Sequence, residues 1–236
     1  MKTNSRWSNF VNELSNLFFF WFFAVTYFFL FRVFFIAFFH KQISQSVDVS
    51  EYLKVLFMGF RFDCTVAAYF LIIPFFSLAI LSFKDKFNTI KRIRIVFQYL
   101  FVILSSIICM ITINYFREYH DQFNNFLFLA LYDDQKAVMN TIVEDFNPLT
   151  NIAIVILVII ICIYIFRKTE NRQFIYSFFA KIQKKSSRIA LIVITIFLFL
   201  SCLRGTFFTV PAIRKWAGVS KDIFLNKTVL NPFRSL

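Results

Sequence analysis

Residues 17–39 read LFFFWFFAVTYFFLFRVFFIAFF, a run of apolar side chains broken by a single charge, Arg32. It is longer than the ~18 apolar residues that mark a membrane helix. It is also too long for a signal-peptide core and has no small-residue cleavage site, so the expectation is an uncleaved signal anchor behind Lys2 and Arg6. Four more runs follow: Cys64–Phe83 with a softer approach from Val55, Ile95–Ile113, Ile152–Phe166 and Ile189–Leu203. Pro74 is expected to kink the second, and Pro148 opens the fourth where a first-turn proline is tolerated. Leu149 and Phe207/Phe208 extend the two shorter runs toward the ~20 residues a span needs. The expected fold is all-α: a polytopic membrane bundle of five transmembrane helices with interfacial amphipathic helices. Residues 1–208 form the membrane domain and 209–236 an extracytoplasmic tail.

Composition agrees. The chain has 236 residues, 59% of them hydrophobic, against roughly 45–50% in soluble domains. Three glycines and four prolines leave no linker and no second globular domain. The 38 phenylalanines, with abundant Ile, Asn and Lys, match an AT-rich coding bias and carry no functional weight by themselves. A net charge of +13 points to nucleic acid only when basic residues gather on a soluble face; here they lie between hydrophobic runs, so nucleic acid is excluded as a partner. Cys64, Cys109, Cys162 and Cys202 sit in or beside apolar runs without metal-ligand spacing and read as buried free thiols.

Orientation follows from the Lys/Arg excess of cytoplasmic loops. The stretch 84–94 carries Lys84, Lys86, Lys91, Arg92 and Arg94 against Asp85, and 167–188 carries seven basic residues against Glu170. The stretch 116–147 has only Arg117 and Lys136 against six acidic residues and belongs outside. With the neutral loop after the first run, this puts the amino terminus in the cytoplasm and the tail outside the membrane. The tail objects, with six basic residues against Asp222. Two connectors have helical patterns of their own. Phe174, Phe178 and Ile182 suit a helix on an anionic leaflet. Phe123, Phe126, Leu127, Ala130 and Leu131, then Val138, Ile142 and Phe146, form stripes of a capping helix or a substrate contact.

Ionisable residues gather near the outer ends of the runs. Arg32 lies roughly 10 Å down its helix from Phe39 at 1.5 Å per residue. Arg61 and Asp63 open the second span, so antiparallel neighbours bring Arg32 and Asp63 to similar depth. Arg117 and Arg204 fall near other outer ends. Two readings stay open: a structural ion pair with snorkelling cations, or guanidinium groups that receive a phospholipid headgroup. His120 and Asp121 are adjacent loop residues and do not make an acid/base pair, and no nucleophile stands beside metal ligands.

Several segments together resemble one family. They are the Phe-rich first span through Phe31-Arg32, Gly59-Phe60-Arg61-Phe62-Asp63, and Asn114-Tyr115-Phe116-Arg117-Glu118-Tyr119 followed by Gln122-Phe123-Asn124. With them go Arg204-Gly205-Thr206-Phe207, Pro211, Ala217, Ser220, Phe224-Leu225-Asn226 and Leu230-Asn231-Pro232-Phe233-Arg234-Ser235-Leu236. In this order they are similar to the membrane part of the lipoteichoic acid synthase and phosphoglycerol transferase proteins of the alkaline phosphatase/sulfatase superfamily. The resemblance implies a following extracytoplasmic catalytic domain with divalent manganese or magnesium and a threonine nucleophile, which transfers glycerol phosphate from phosphatidylglycerol. Such a domain does not begin before Leu236, so the implied role is an anchor and lipid-presenting platform, with no cofactor of its own. Its partners would be membrane lipids, phosphatidylglycerol among them, and a separate catalytic domain or polypeptide. The alternative is a small polytopic transporter or scaffold subunit, although no internal repeat is detectable.

Overall fold

The computed structural model describes residues 2–44, 47–122, 147–169, 176, 182, 184–206 and 212–235. Among them are seven α-helices and no strand: α1 Lys2–Phe38, α2 Val49–Leu81, α3 Phe87–Tyr119, α4 Pro148–Thr169, α5 Lys185–Arg204, α6 Ile223–Val229 and α7 Pro232–Ser235. The first five are long and apolar enough to cross a membrane. The chain is therefore a multi-pass membrane protein by helix length and hydropathy. The stripes expected at 123–146, and most of the amphipathic pattern expected at 167–188, lie outside the described residues. Every cysteine is a free thiol, and Cys64, Cys109 and Cys162 are buried.

Helix α3 shows why hydrocarbon is the solvent. Its buried face holds Arg94, Gln98, Ser105, Ser106 and Thr112 beside Ile90, Phe101, Val102 and Phe116. Its exposed face carries Val96, Leu100, Ile103, Leu104 and Ile107. In water that arrangement exposes apolar surface and hides polar groups, both unfavourable. In lipid the apolar face is solvated by acyl chains, while inside the bundle Arg94 meets Glu13 and Gln98, Ser106 meets Tyr27 and Thr112 donates to the Ile108 carbonyl. Helices α4 and α5 are the most lipid-exposed, with only Cys162 and Phe166, and Thr195 and Phe199, buried. Phe166 reaches into the Phe19, Phe20 and Phe23 rings of α1. Phe199 stacks on Phe75 of α2 with centroids 4.1 Å apart.

Contacts at the two ends fix the register. On one, the amino side, Arg6 donates to the Ser82 carbonyl at 3.0 and 2.7 Å and pairs with Asp85 at 3.1 Å. Arg188 lies 4.8 Å over the Trp7 ring there. On the other, the tail side, Arg61 Nε donates to the Gly205 carbonyl at 3.1 Å. Gly205 ends α5 in the left-handed region at φ 67, and a Cβ there would meet Thr65 Oγ1 and Ala212 Cβ. From Arg61 to Ser82 the rise is about 31 Å, close to the ~30 Å of bilayer hydrocarbon.

The first three helices are longer than the apolar runs from which they were read. Helix α2 starts at Val49, capped by the Asp48 carboxylate, not near Cys64. Its extra turns, with the ends of α1 and α3 and residues 212–235, form a headpiece on the tail side. The headpiece has its own apolar cluster, which includes Phe35, Val55, Phe62, Phe116, Phe224 and Leu225, separate from the cluster inside the bundle. Packing against the tail gives these turns a buried face beyond the lipid, which hydropathy alone does not register.

Candidate functional site at the tail side

Arg32 and Asp63 meet where α1 and α2 cross the base of the headpiece. Arg32 Nη2 lies 2.7 Å from Asp63 Oδ1, with the arginine 3% and the carboxylate 0% exposed. The C-terminal segment completes the cluster. Arg32 Nη1 donates to the carbonyls of Thr228 and Val229, the latter at 2.8 Å. Asn231 Nδ2 donates to the same Asp63 oxygen at 2.8 Å. Gly59 makes room, for a Cβ there would fall on the Arg32 guanidinium. A cavity of about 10 Å³, the size of one water, adjoins Arg32, Thr112, Gln122 and Thr228.

Local sequence explains how the tail reaches the pair. Asn231 caps α7, its Oδ1 accepting from the Phe233 N–H at 3.0 Å, and Pro232 takes the first helical position. That turn aims Phe233 into the bundle against Phe28 and Phe70, ring centroids 6.0 and 5.4 Å away. Asp222 caps α6 by accepting from Leu225 N–H, and its other oxygen accepts from Ser44 N–H, both at 2.8 Å. Burial alone would raise the Asp222 carboxyl, but these backbone donors outweigh it and hold the group below its usual range. Glu51 accepts from the Ser220 hydroxyl and from Lys221 N–H at 2.9 Å.

The basic tail is accommodated by carbonyls and rings as well as carboxylates. Lys227 Nζ donates to the His120 carbonyl at 2.8 Å and pairs with Asp121 at 3.1 Å. Arg234 donates to the Ala212 carbonyl and lies over Phe62. Trp216 stacks under Arg61 at 5.2 Å.

The five residues singled out by sequence divide accordingly. Arg32 and Asp63 come together and are enclosed; Arg61 is half-buried against Gly205 and Trp216. Arg117 and Arg204 are exposed at the ends of α3 and α5. His120 and Asp121 adjoin the docked tail, His120 Nδ1 lying 3.0 Å from the Gln42 amide nitrogen. No group of three His, Cys, Asp or Glu suited to a metal occurs among the described residues.

A second buried charge cluster escaped the sequence reading. Near the amino side, Arg94 Nε lies 3.1 Å from Glu13 Oε2 and Nη1 lies 3.2 Å from Gln98 Oε1; the arginine is 2% exposed. Arg94 lies at the end of the basic stretch 84–94, yet it belongs to α3 and is buried. The available signal was the i, i+4 pair Arg94 and Gln98 on the stripe that continues to Phe101, with Glu13 the lone acid of the first 47 residues. Glu13 and Arg32 are separated by about 28 Å of α1, so the two buried pairs bracket a hydrocarbon-thick apolar layer.

No family model, curated protein or solved structure matches this chain.

Proposed function

We propose that the chain is the membrane-anchoring and lipid-presenting module of a lipoteichoic acid synthase or phosphoglycerol transferase-like protein. In this reading the amino side faces the cytoplasm and the headpiece stands on the outer face of a bacterial cytoplasmic membrane. A divalent-metal-dependent catalytic domain, in a continuation of the chain or another polypeptide, then works on glycerophospholipid headgroups at that face.

The observation that carries the reading is the docking of residues 212–235 through Arg32, Asp63 and Asn231. A segment held by a buried charge cluster and by Phe233 between helices would fix the position of whatever it carries relative to the membrane surface. Arg117 and Arg204, exposed at the headpiece rim, are the cations proposed to meet headgroup phosphate; Arg32 is enclosed and serves the docking. The polar row on α3 gives little support to transport, because Phe101 packs between Phe20, Phe28 and Phe70 in its middle.

The test reconstitutes the chain in liposomes containing labelled phosphatidylglycerol, with and without a separately expressed catalytic domain of the family. The chain alone should transfer no glycerol phosphate, and should raise transfer by the added domain; Arg117→Gln with Arg204→Gln should reduce that gain. Turnover by the chain alone, or no effect on the domain, would overturn the proposal. Single cysteines at Lys86 and Ser44, probed in cells with a membrane-impermeant maleimide, test orientation: Ser44 should label and Lys86 should not.

A further inference from the structure

Between α1, α2 and α5 runs a groove of about 140 Å³. Leu17, Phe18 and Trp21 form one wall, Leu71 and Phe75 the second, and Thr195, Leu198 and Phe199 the third. On all three helices the lining lies inside the charged ends. On α1 it falls between Glu13 and Arg32, on α2 between Asp63 and Ser82, and on α5 between Arg188 and Gly205. Flanking side chains such as Phe22, Phe76 and Phe197 are exposed on the bundle's apolar surface. The groove therefore opens to hydrocarbon.

We infer that this groove is a binding site for one acyl chain of a bilayer phospholipid. Its walls expose no polar surface, and apolar cavities of this size, about 150 Å³, stay dry while accepting a benzene-sized apolar guest. Water is thus excluded as the occupant. A void would forfeit dispersion contacts along every wall, and at this depth acyl chain is the only abundant material. The Trp21 indole N–H has no hydrogen-bond partner among the described residues, and its ring forms part of the apolar wall. Helix α5 meets α2 through the Phe199–Phe75 stack and the Arg61–Gly205 bond, and meets α1 near the amino side through Arg188 over Trp7; a lipid chain wedged between α1 and α5 fills the space between these contacts. This site is independent of the headgroup reading above.

Trp21 reports on the site directly. With Trp7→Phe and Trp216→Phe, Trp21 is the only indole left. The protein is placed in detergent-free nanodiscs containing phospholipid brominated midway along its acyl chain, which quenches on contact. The expected result is about twofold stronger quenching of Trp21 than in a Thr195→Phe version, whose added ring fills the groove and displaces the dispersion-held chain. Ile194→Phe, on the lipid-exposed side of α5, should leave quenching unchanged. If Thr195→Phe does not fold, as judged by circular dichroism, Leu198→Phe replaces it. Equal quenching in the groove-filled and unfilled proteins would overturn the inference.

Discussion

Asp63→Asn isolates the charge at the heart of the docked tail. The substitution keeps the shape and the Oδ1 acceptor that Arg32 and Asn231 share, but leaves the Arg32 guanidinium, 3% exposed, with neutral acceptors only among its described partners. Breaking a buried pair by removing one partner costs about 3–5 kcal/mol, because the remaining charge is uncompensated. The bonds to Thr228, Val229 and Asn231 all belong to residues 228–231, so the loss falls first on the tail. Equilibrium unfolding in mixed micelles with rising sodium dodecyl sulfate, followed by Trp216 emission, reads it out. The double change Arg32→Met with Asp63→Leu supplies the control. It removes both charges while stranding the carbonyls and the Asn231 amide at about 1–3 kcal/mol for each unsatisfied group. Its loss should therefore fall clearly short of the sum of the two single changes. A loss within about 0.5 kcal/mol for Asp63→Asn, or strict additivity in the double variant, would refute the claim that the pair holds the tail.

Glu13→Gln should also destabilise by about 3–5 kcal/mol, but the same unfolding titration should show the amino-side half loosening while Trp216 emission at the start of the transition stays native. Gly59→Ala places a methyl group on the Arg32 guanidinium; overpacking costs about 1–3 kcal/mol, and Gly59→Ser should be no better. Tail docking should depend on acid. The Asp222 carboxyl lies below its ordinary value in the folded protein, so its contribution is complete above the unfolded pKa of ~3.9 and is lost as pH falls through the folded value. Limited proteolysis of the tail between pH 6 and pH 3 should show that loss, and Asp222→Asn should flatten the acid limb.

Much of the bundle was legible from hydropathy because burial in lipid is a local property of each run. A helix such as 185–204 needs no neighbour to satisfy its backbone, and its side chains meet acyl chains whatever the fold. The headpiece was not legible in that way. The α2 turns from Val49 to Arg61 are held by residues more than 140 positions away, as in Arg61 with Gly205 and Glu51 with Lys221, and no window of sequence contains both partners. The basic tail shows the same limit. A count registers only its six cations, whereas in the fold Lys227 and Arg234 meet carbonyls, a carboxylate and a ring within the headpiece.

The candidate sites divide along the same line. Sequence placed Arg32 and Asp63 at similar depth because antiparallel helices with a fixed rise admit that arithmetic. It left Glu13 and Arg94 apart, since a cation at the edge of a basic stretch looks solvated until a helix face turns it inward.

The amino-acid sequence by itself determined that this chain crosses a membrane with five helices, because the cost of placing an unpaired backbone group in hydrocarbon is settled within each run. Only the tertiary structure decided that the C-terminal segment folds back onto the bundle and that each end of the apolar layer is closed by a buried ion pair. Those choices depend on charges meeting across long sequence separations, and a charge in a low-dielectric interior is tolerable only where its partner also arrives.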